Sequence, residues 1–363
     1  MKSEPRLAFV LDALPSLGGA EKVLFTALEA YPHADVFTLV YNRTVFEQSP
    51  ISNLNIRTSY LDALPFAHKH HRLFLPFMPR AIQNFDFHGY DTIVSFSYAV
   101  AHGIHNQNGA RHLAYTYTPM RYAWTGLNLN GTQTAKGWLL QKVMKTFRTW
   151  DRRAAARVDA FAAISKAVAC RIKESWGRDS RVIYPPVEVG RFRPAARRGD
   201  YYITVSRLVR HKRIDLLVRA FSQLGLPLIV IGDGPELPRL KAQAKDNVQL
   251  PGFLPDDQTA GLLASARGFV CAAEEDFGIA IVEAQAAGCP IIAYGQGGAL
   301  ESVREGVTGL FFDQQTVESL CEAVQKFDDI AGSFCREDVA ANAQRFGKDR
   351  FLREFRQFVE TGA

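Results

Sequence analysis

The chain of 363 residues is poor in cysteine and methionine, with five and four respectively. Cys170, Cys271, Cys289, Cys321 and Cys335 are odd in number and form no C-x-x-C pair. That pattern argues against a disulfide framework and a structural zinc site, and points to buried free thiols in a reducing cytoplasm. No stretch approaches the ~20 uninterrupted apolar residues that a membrane-spanning helix needs. The one apolar run near the start, Leu7 to Leu11, is too brief for a signal-peptide core and has the length of a strand. No D-x-D triplet occurs, so one familiar carboxylate arrangement for holding a divalent metal against a nucleotide is missing. No helix-turn-helix, zinc-finger or RNP pattern appears either, so nucleic acid is not an expected partner.

What is present is an ordinary globular composition, 47% hydrophobic and 22% charged. The length suits two or three domains at about 100–200 residues each. The formal charge of +6 is unevenly spread. Residues 1–185 hold 22 Lys plus Arg against 13 Asp plus Glu, a surplus of nine, whereas residues 186–363 hold 21 against 24. A basic half beside a mildly acidic one predicts that the first half meets an anionic surface or substrate.

Short apolar runs alternate with helical patterns along the chain, which is the signature of parallel βαβ units. Strands are expected at Leu7–Leu11, Val36–Val40, Thr92–Phe96, His112–Thr116, Ala160–Ile164 and Val182–Tyr184. Pro185-Pro186 breaks the series, and the charged stretch Arg191 to Asp200 reads as a linker. A second series follows at Tyr201–Ser206, Leu228–Ile231, Val248–Leu250, Gly268–Cys271, Pro290–Ala293 and Gly309–Phe312, and the chain closes on a helix, Asp349 to Thr361. The expected architecture is α/β, with two Rossmann-like doubly wound domains facing a cleft. Their expected bounds are 1–185 and 186–345, with a last helix at 346–363 packing back on the first. Ligands of such sheets bind beyond the carboxyl ends of the strands.

Five motifs stand at strand ends. Leu17-Gly18-Gly19-Ala20-Glu21 opens a helix, where two glycines and a helix N-terminus suit an anion, although a plain tight turn explains them equally. Ser206-Arg207-Leu208 with Lys212 places a planar fork and a point charge in one strand-to-helix loop, a pairing that suits a diphosphate. Ile231-Gly232-Asp233-Gly234-Pro235 lacks the third glycine of a dinucleotide fingerprint. Glu275 and Glu283 are separated by seven residues. With a helix starting near Phe277–Gly278, Glu283 would sit about two turns beyond Glu275. Gly297-Gly298-Ala299-Leu300-Glu301 again sets a glycine pair between strand and helix.

Taken in this order, the five motifs resemble the retaining glycosyltransferases of family 4, which have the GT-B fold. Val182-Ile183-Tyr184-Pro185-Pro186-Val187 and Tyr115-Thr116-Tyr117-Thr118-Pro119-Met120-Arg121 look like the mannosyltransferase branch of bacterial O-antigen and exopolysaccharide assembly. The resemblance implies a nucleotide-sugar donor, GDP-mannose, and a lipid-diphosphate-linked or oligosaccharide acceptor, with no metal and no further cofactor. It implies that Arg207 and Lys212 neutralise the donor diphosphate, aided by the backbone of Gly18 and Gly19. It implies that Glu275 holds sugar hydroxyls with the backbone of Phe277, Gly278 and Ile279. Glu283 would hold the ribose, and the backbone near Leu254 would lie by the base. Where this branch usually has histidine, the chain has Tyr98 and Tyr117; His102 stands nearby. A UDP-sugar donor and a non-catalytic nucleotide-sugar-binding subunit remain alternatives.

Two segments of the basic half mix cations with apolar residues. Lys136 to Arg157 holds seven basic residues and one acid, with Leu139, Val143, Phe147, Trp150 and Ala154 at helical spacing. That stripe suits either an anionic bilayer or the core. Pro65 to Arg80 mixes His68, Lys69, His70, His71 and Arg72 with Phe66, Leu73, Phe74, Leu75 and Phe77. A cytoplasmic protein held peripherally at the inner face of the membrane is the expectation.

Overall fold

The computed structural model describes residues 5–106, 108–121, 123–124 and 135–362. The chain divides into two compact units, Met1–Tyr184 with Phe351–Ala363, and Pro185–Arg350. The chain therefore passes between them at residue 184 and again at 350, inside the last helix.

The first unit is built on seven parallel strands: β1 Leu7–Leu11, β2 Asp35–Thr38, β3 Ile56–Thr58, β4 Thr92–Ser97, β5 Arg111–Thr116, β6 Ala160–Ala163 and β7 Arg181–Val182. Their order is β3-β2-β1-β4-β5-β6-β7. β1 and β4 are buried on both faces, as a parallel sheet covered on each side requires. The topology reverses between β1 and β4. β3, with only three residues and an exposed Arg57, carries no apolar run that would announce it.

The last helix, Lys348–Thr361, belongs largely to this unit. Its Phe351, Phe355, Phe358 and Val359 are buried, on one helical face. The Phe355 ring meets Phe9, Phe96 and Tyr115 at centroid distances of 6.1, 5.8 and 6.2 Å. Arg111 donates to the carbonyls of Glu360 and Val359, placing a cation on the helix C-terminus.

The helix Ala135–Ala155 resolves part of what its sequence left open. Phe147 and Ala154 are buried, and Trp150 packs beside Phe147 on the core under β1 and β4. That part of the apolar stripe is core, so only Val143 among its described members is exposed. The side chains of Lys136 and Leu139 lie outside the described residues.

The second unit repeats the plan with six strands: β8 Tyr202–Val205, β9 Leu228–Ile231, β10 Val248–Gly252, β11 Gly268–Cys271, β12 Ile291–Tyr294 and β13 Gly309–Phe312. The order β10-β9-β8-β11-β12-β13 is that of a dinucleotide-type doubly wound sheet, reversing between β8 and β11. The stretch read as a linker is part of this unit. Arg198 donates to the carbonyls of Ala331 and Phe334, each at 2.7 Å, and Arg191 pairs with Asp256. Two of its charges are thus met by internal partners, which composition alone does not reveal. No helix among the described residues is long and apolar enough to cross a membrane.

Phe355→Ala should cost about 3–5 kcal/mol in denaturant unfolding, because it empties a fully enclosed aromatic site; a loss below about 1 kcal/mol would contradict the packing. Cys271, Cys289 and Cys321 are buried whereas Cys170 and Cys335 are exposed. A thiol reagent should therefore react quickly with two groups in the native protein and five after unfolding. Rapid reaction of a third would contradict this burial.

Candidate active site

The switch point of the second sheet gathers most of the residues singled out by sequence. β8 leads into Ser206-Arg207-Leu208 and a single turn, Arg210–Lys212. β11, the strand beside it, leads into the loop that carries Glu275. Lys212 Nζ lies 2.7 and 2.6 Å from the two carboxylate oxygens of Glu275. The side chains are only 20% and 16% exposed, so this is a partly desolvated, two-pronged ion pair bridging the reversal of the sheet. Arg207 stands exposed in the same loop.

Backbone geometry aims the lysine. Arg213, the next residue, adopts φ 53° and caps the helix Ile214–Leu224. A left-handed conformation at a residue with a side chain is strained by about 1–3 kcal/mol and persists only where neighbours enforce it. Here Arg213 Nη1 donates to Gln315 Oε1 at 3.3 Å, and Gln315 Nε2 donates to the Ala272 carbonyl at 2.7 Å. Gln315 thus ties the lysine loop to the glutamate loop. No motif in the sequence points to it.

The glycine motifs serve this pair as braces. Gly232 has φ 134°, and a Cβ there would stand 1.9 Å from the Ser206 carbonyl oxygen. The Leu208 amide donates to the Asp233 carbonyl at 2.8 Å, so the 232–234 turn fixes the loop of Arg207. On the other side, the Gly298 amide donates to the Glu275 carbonyl at 2.7 Å, and a Cβ at Gly298 would lie 2.4 Å from Phe277 Cα. Both motifs carry close backbone contact, a role that does not by itself require a ligand.

Glu275 does not share a helix with Glu283. The helix runs Ile279–Ala286, with Gly278 as its left-handed N-cap, so Glu275 lies in extended backbone bridged to Gly297. Glu283 is half-buried on the second turn of that helix. The expected separation of two helical turns is replaced by a loop followed by just over one turn. Phe277 is buried and its ring meets Phe346 at 5.3 Å, leaving only its backbone for a ligand. Leu254 follows the edge strand β10, and its carbonyl accepts from Thr259 Oγ1 at 3.4 Å. Cys271, at the end of β11, has its thiol pushed up to about 12, first by burial and then by the Glu275 charge. It is a neutral neighbour of the pair.

Gly18 and Gly19 belong to the first unit, at the start of the helix Gly19–Ala30. The Tyr117 hydroxyl donates to the Ala20 carbonyl at 2.9 Å, and burial raises its pKa well above the ordinary tyrosine value. Tyr98 approaches the Ala13 carbonyl at 3.5 Å. The residue that organises this end of the first sheet is Asp12, which directly follows β1. Its carboxylate accepts the amides of Tyr98, Ala99, Val100 and Ala101, across the reversal between β1 and β4. Burial pushes its carboxyl up, against four donors that favour the charge. A lone aspartate at a strand end was the available signal. His102 is 1% exposed, within 2.9 Å of Ser97 Oγ and 3.1 Å of Asp151 Oδ1. The Trp124 and Trp176 indoles donate to the other oxygen of Asp151 at 2.6 Å each. His102 is a packed structural residue. Among the described residues no cluster of histidine, cysteine and carboxylate groups could hold a metal.

Residues 17–191 match the family described as Glycosyltransferase Family 4, and residues 191–344 match Glycosyl transferases group 1. A GDP-mannose-dependent alpha-(1-6)-phosphatidylinositol monomannoside mannosyltransferase of Mycobacterium tuberculosis is 31% identical over 220 residues, covering 52% of this chain and 56% of that protein. A GDP-mannose-dependent alpha-mannosyltransferase of Corynebacterium glutamicum is 36% identical over 110 residues, 30% of this chain and 26% of that protein. The chain thus spans only about half the length of the first of these relatives, and less of the second. Among solved structures, Anabaena HepE in complex with UDP and glucose has a TM-score of 0.71 at 19% identity, covering 98% of this chain and 99% of that one. A sucrose-phosphate synthase from Thermosynechococcus elongatus has a TM-score of 0.75 at 19% identity, with 98% of each chain covered.

Removing one member of the Lys212–Glu275 pair strands a partly buried charge. Lys212→Met and Glu275→Met should each destabilise the second unit, and the double variant should lose less than their sum by about 0.5–3 kcal/mol. Strict additivity in urea unfolding would contradict the coupling.

Proposed function

The chain belongs to glycosyltransferase family 4 and has the GT-B fold, and from that premise we propose that it transfers mannose from GDP-mannose, with retention of anomeric configuration. The acceptor in this reading is a lipid-linked or oligosaccharide glycan of surface polysaccharide assembly, presented at a membrane face. The observation that carries the proposal is the meeting of Lys212 and Glu275 at the β8/β11 switch point, with Arg207 exposed in the lysine's own loop, where a doubly wound sheet takes its ligand. The two GDP-mannose-dependent relatives described above support GDP-mannose as donor.

Each residue has a chemical task in this reading. Breaking a glycosidic bond to a nucleoside diphosphate builds negative charge on the leaving phosphate. Lys212 and Arg207 would stabilise that charge as it develops, which lowers the barrier because the interaction is stronger in the transition state than in the ground state. Glu275, an acceptor of hydrogen bonds when ionised, would hold sugar hydroxyls, and donor binding would redistribute the lysine between carboxylate and phosphate. The amides near Phe277, Gly278 and Ile279, at a helix N-terminus, would add further donors to the same ligand. Glu283 would take the ribose hydroxyls and the Leu254 backbone the base. The Gly18–Gly19 turn of the first unit would offer amides to an anion. Attack by the acceptor hydroxyl on the face the diphosphate leaves would account for retention. In this scheme positioning and leaving-group electrostatics carry the chemistry without a metal.

Glu275→Ala should reduce mannosyl transfer by about a hundredfold or more while the circular dichroism spectrum is unchanged. Lys212→Ala should weaken both donor binding and turnover. Near-wild-type turnover in Glu275→Ala would overturn the site assignment.

A further inference from the structure

Two segments of the basic first unit combine cations with apolar residues, and the structure separates them. In the helix Ala135–Ala155 the described apolar stripe is largely turned into the core. In the stretch after the edge strand β3 it is divided: Phe74 and Leu75 pack against the core, whereas Phe66, Leu73 and Phe77 are turned out. That stretch folds as a run of short helical pieces, Tyr60–Ala63, Ala67–His70, His71–Phe77 and Met78–Gln83. Leu61, Ala67 and Met78 face the core, and the Tyr60 hydroxyl approaches the Phe77 carbonyl at 3.5 Å, which closes the run on itself. The opposite side leaves Phe66 75%, Leu73 75% and Phe77 58% exposed, with Leu64 beside them. Lys69, Arg72 and Arg80 are exposed in the same run.

We propose that this surface of the first unit, with Phe66, Leu73 and Phe77 as its apolar contacts and Lys69, Arg72 and Arg80 as its cations, is where the protein docks on an anionic lipid bilayer. The proposal deepens the membrane-face acceptor suggested above and rests on that reading for its purpose. Two observations independent of it carry the argument. The first is charge complementarity: the only acid between residues 60 and 80 is Asp62, and it is taken by His68 at 3.0 Å. Cations among exposed aromatic and aliphatic side chains fit a headgroup layer of negative charge over hydrocarbon. The surplus of nine basic residues in 1–185 adds long-range attraction of the same sign. The second is Phe66 itself, held at φ 63°. A bulky residue in the left-handed region is strained, and a side chain so exposed gives the fold little in return. Its position serves contact with something outside the chain.

The test is co-sedimentation of the full chain with vesicles of phosphatidylcholine mixed with phosphatidylglycerol, and with vesicles of phosphatidylcholine alone. The wild type should pellet with the mixed vesicles, be released by salt, and stay in solution with the neutral ones. Lys69→Ala with Arg72→Ala should lower partitioning about twenty-five-fold, at about fivefold for each cation removed. Phe66→Asp with Leu73→Asp should lower it more than tenfold. Phe66→Gly keeps the fold test separate: it should hold or raise the melting temperature while weakening vesicle binding. Val143→Asp on the basic helix should leave binding unchanged. Equal pelleting with neutral vesicles, or undiminished binding of the Phe66/Leu73 double variant, would overturn the proposal. So would dimerisation that these variants abolish in the absence of vesicle binding, which would assign the surface to a second copy. Titration with GDP in solution reads the donor site by itself, so failure there alone would remove the transfer reading and leave this surface standing.

Discussion

The second unit is organised around an opposite-charge pair held at the one place where its sheet reverses direction. Lys212 and Glu275 come from loops that follow neighbouring strands, and beyond the single turn Arg210–Lys212 neither loop has regular structure to hold it. What holds them is backbone-to-backbone contact at Gly232 and Gly298, the Gln315 bridge, and the strained turn at Arg213. A charge pair so largely removed from water is a poor source of stability and a good means of fixing geometry, since its attraction is offset by desolvation. On the proposed reading this geometry matters because the pair is poised between two uses. The carboxylate is free to exchange its lysine for sugar hydroxyls, and the lysine is free to turn to phosphate.

The first unit solves the equivalent problem with one carboxylate and no cation. Asp12 collects four amides from the loop after β4, again across the reversal of a sheet. The same sheet is closed from outside its own stretch of chain by the aromatic face of the last helix, which supplies Phe351 and Phe355 to the rings of β1, β4 and β5. The side of this unit beyond β3 carries the exposed apolar and basic side chains, and its core side does not depend on them.

Much of this was legible in the sequence, for reasons that can be named. Most of the strands announce themselves as apolar runs at parallel-sheet spacing, from Leu7–Leu11 to Gly309–Phe312, although β7 is Arg181–Val182 and shares one residue with the run expected at Val182–Tyr184. β3 does not, since a three-residue edge strand has no periodicity to show. Arg207, Lys212 and Glu275 could be singled out because cations and a carboxylate at strand ends have few structural uses. The glycine motifs were visible, but a sequence does not distinguish a glycine that admits a ligand from one that admits another backbone. Gln315 acts through long-range hydrogen bonds that leave no local pattern, and for Asp12 only a lone carboxylate at a strand end shows. For His102 the deciding partner, Asp151, lies 49 positions away. Burial of Phe147 and exposure of Phe66 likewise depend on neighbours that helical spacing does not specify.

On the proposed reading, the loop pair at the β8/β11 reversal is a guanosine-diphosphate sugar site. Its most direct test is calorimetric titration of the wild-type protein and its Lys212→Ala variant with GDP, UDP, ADP and dTDP, without added metal. GDP should bind in preference to the other three, and more weakly to the variant. Preference for another nucleotide would overturn the donor. Binding that does not depend on Lys212, or no binding at all, would contradict the site.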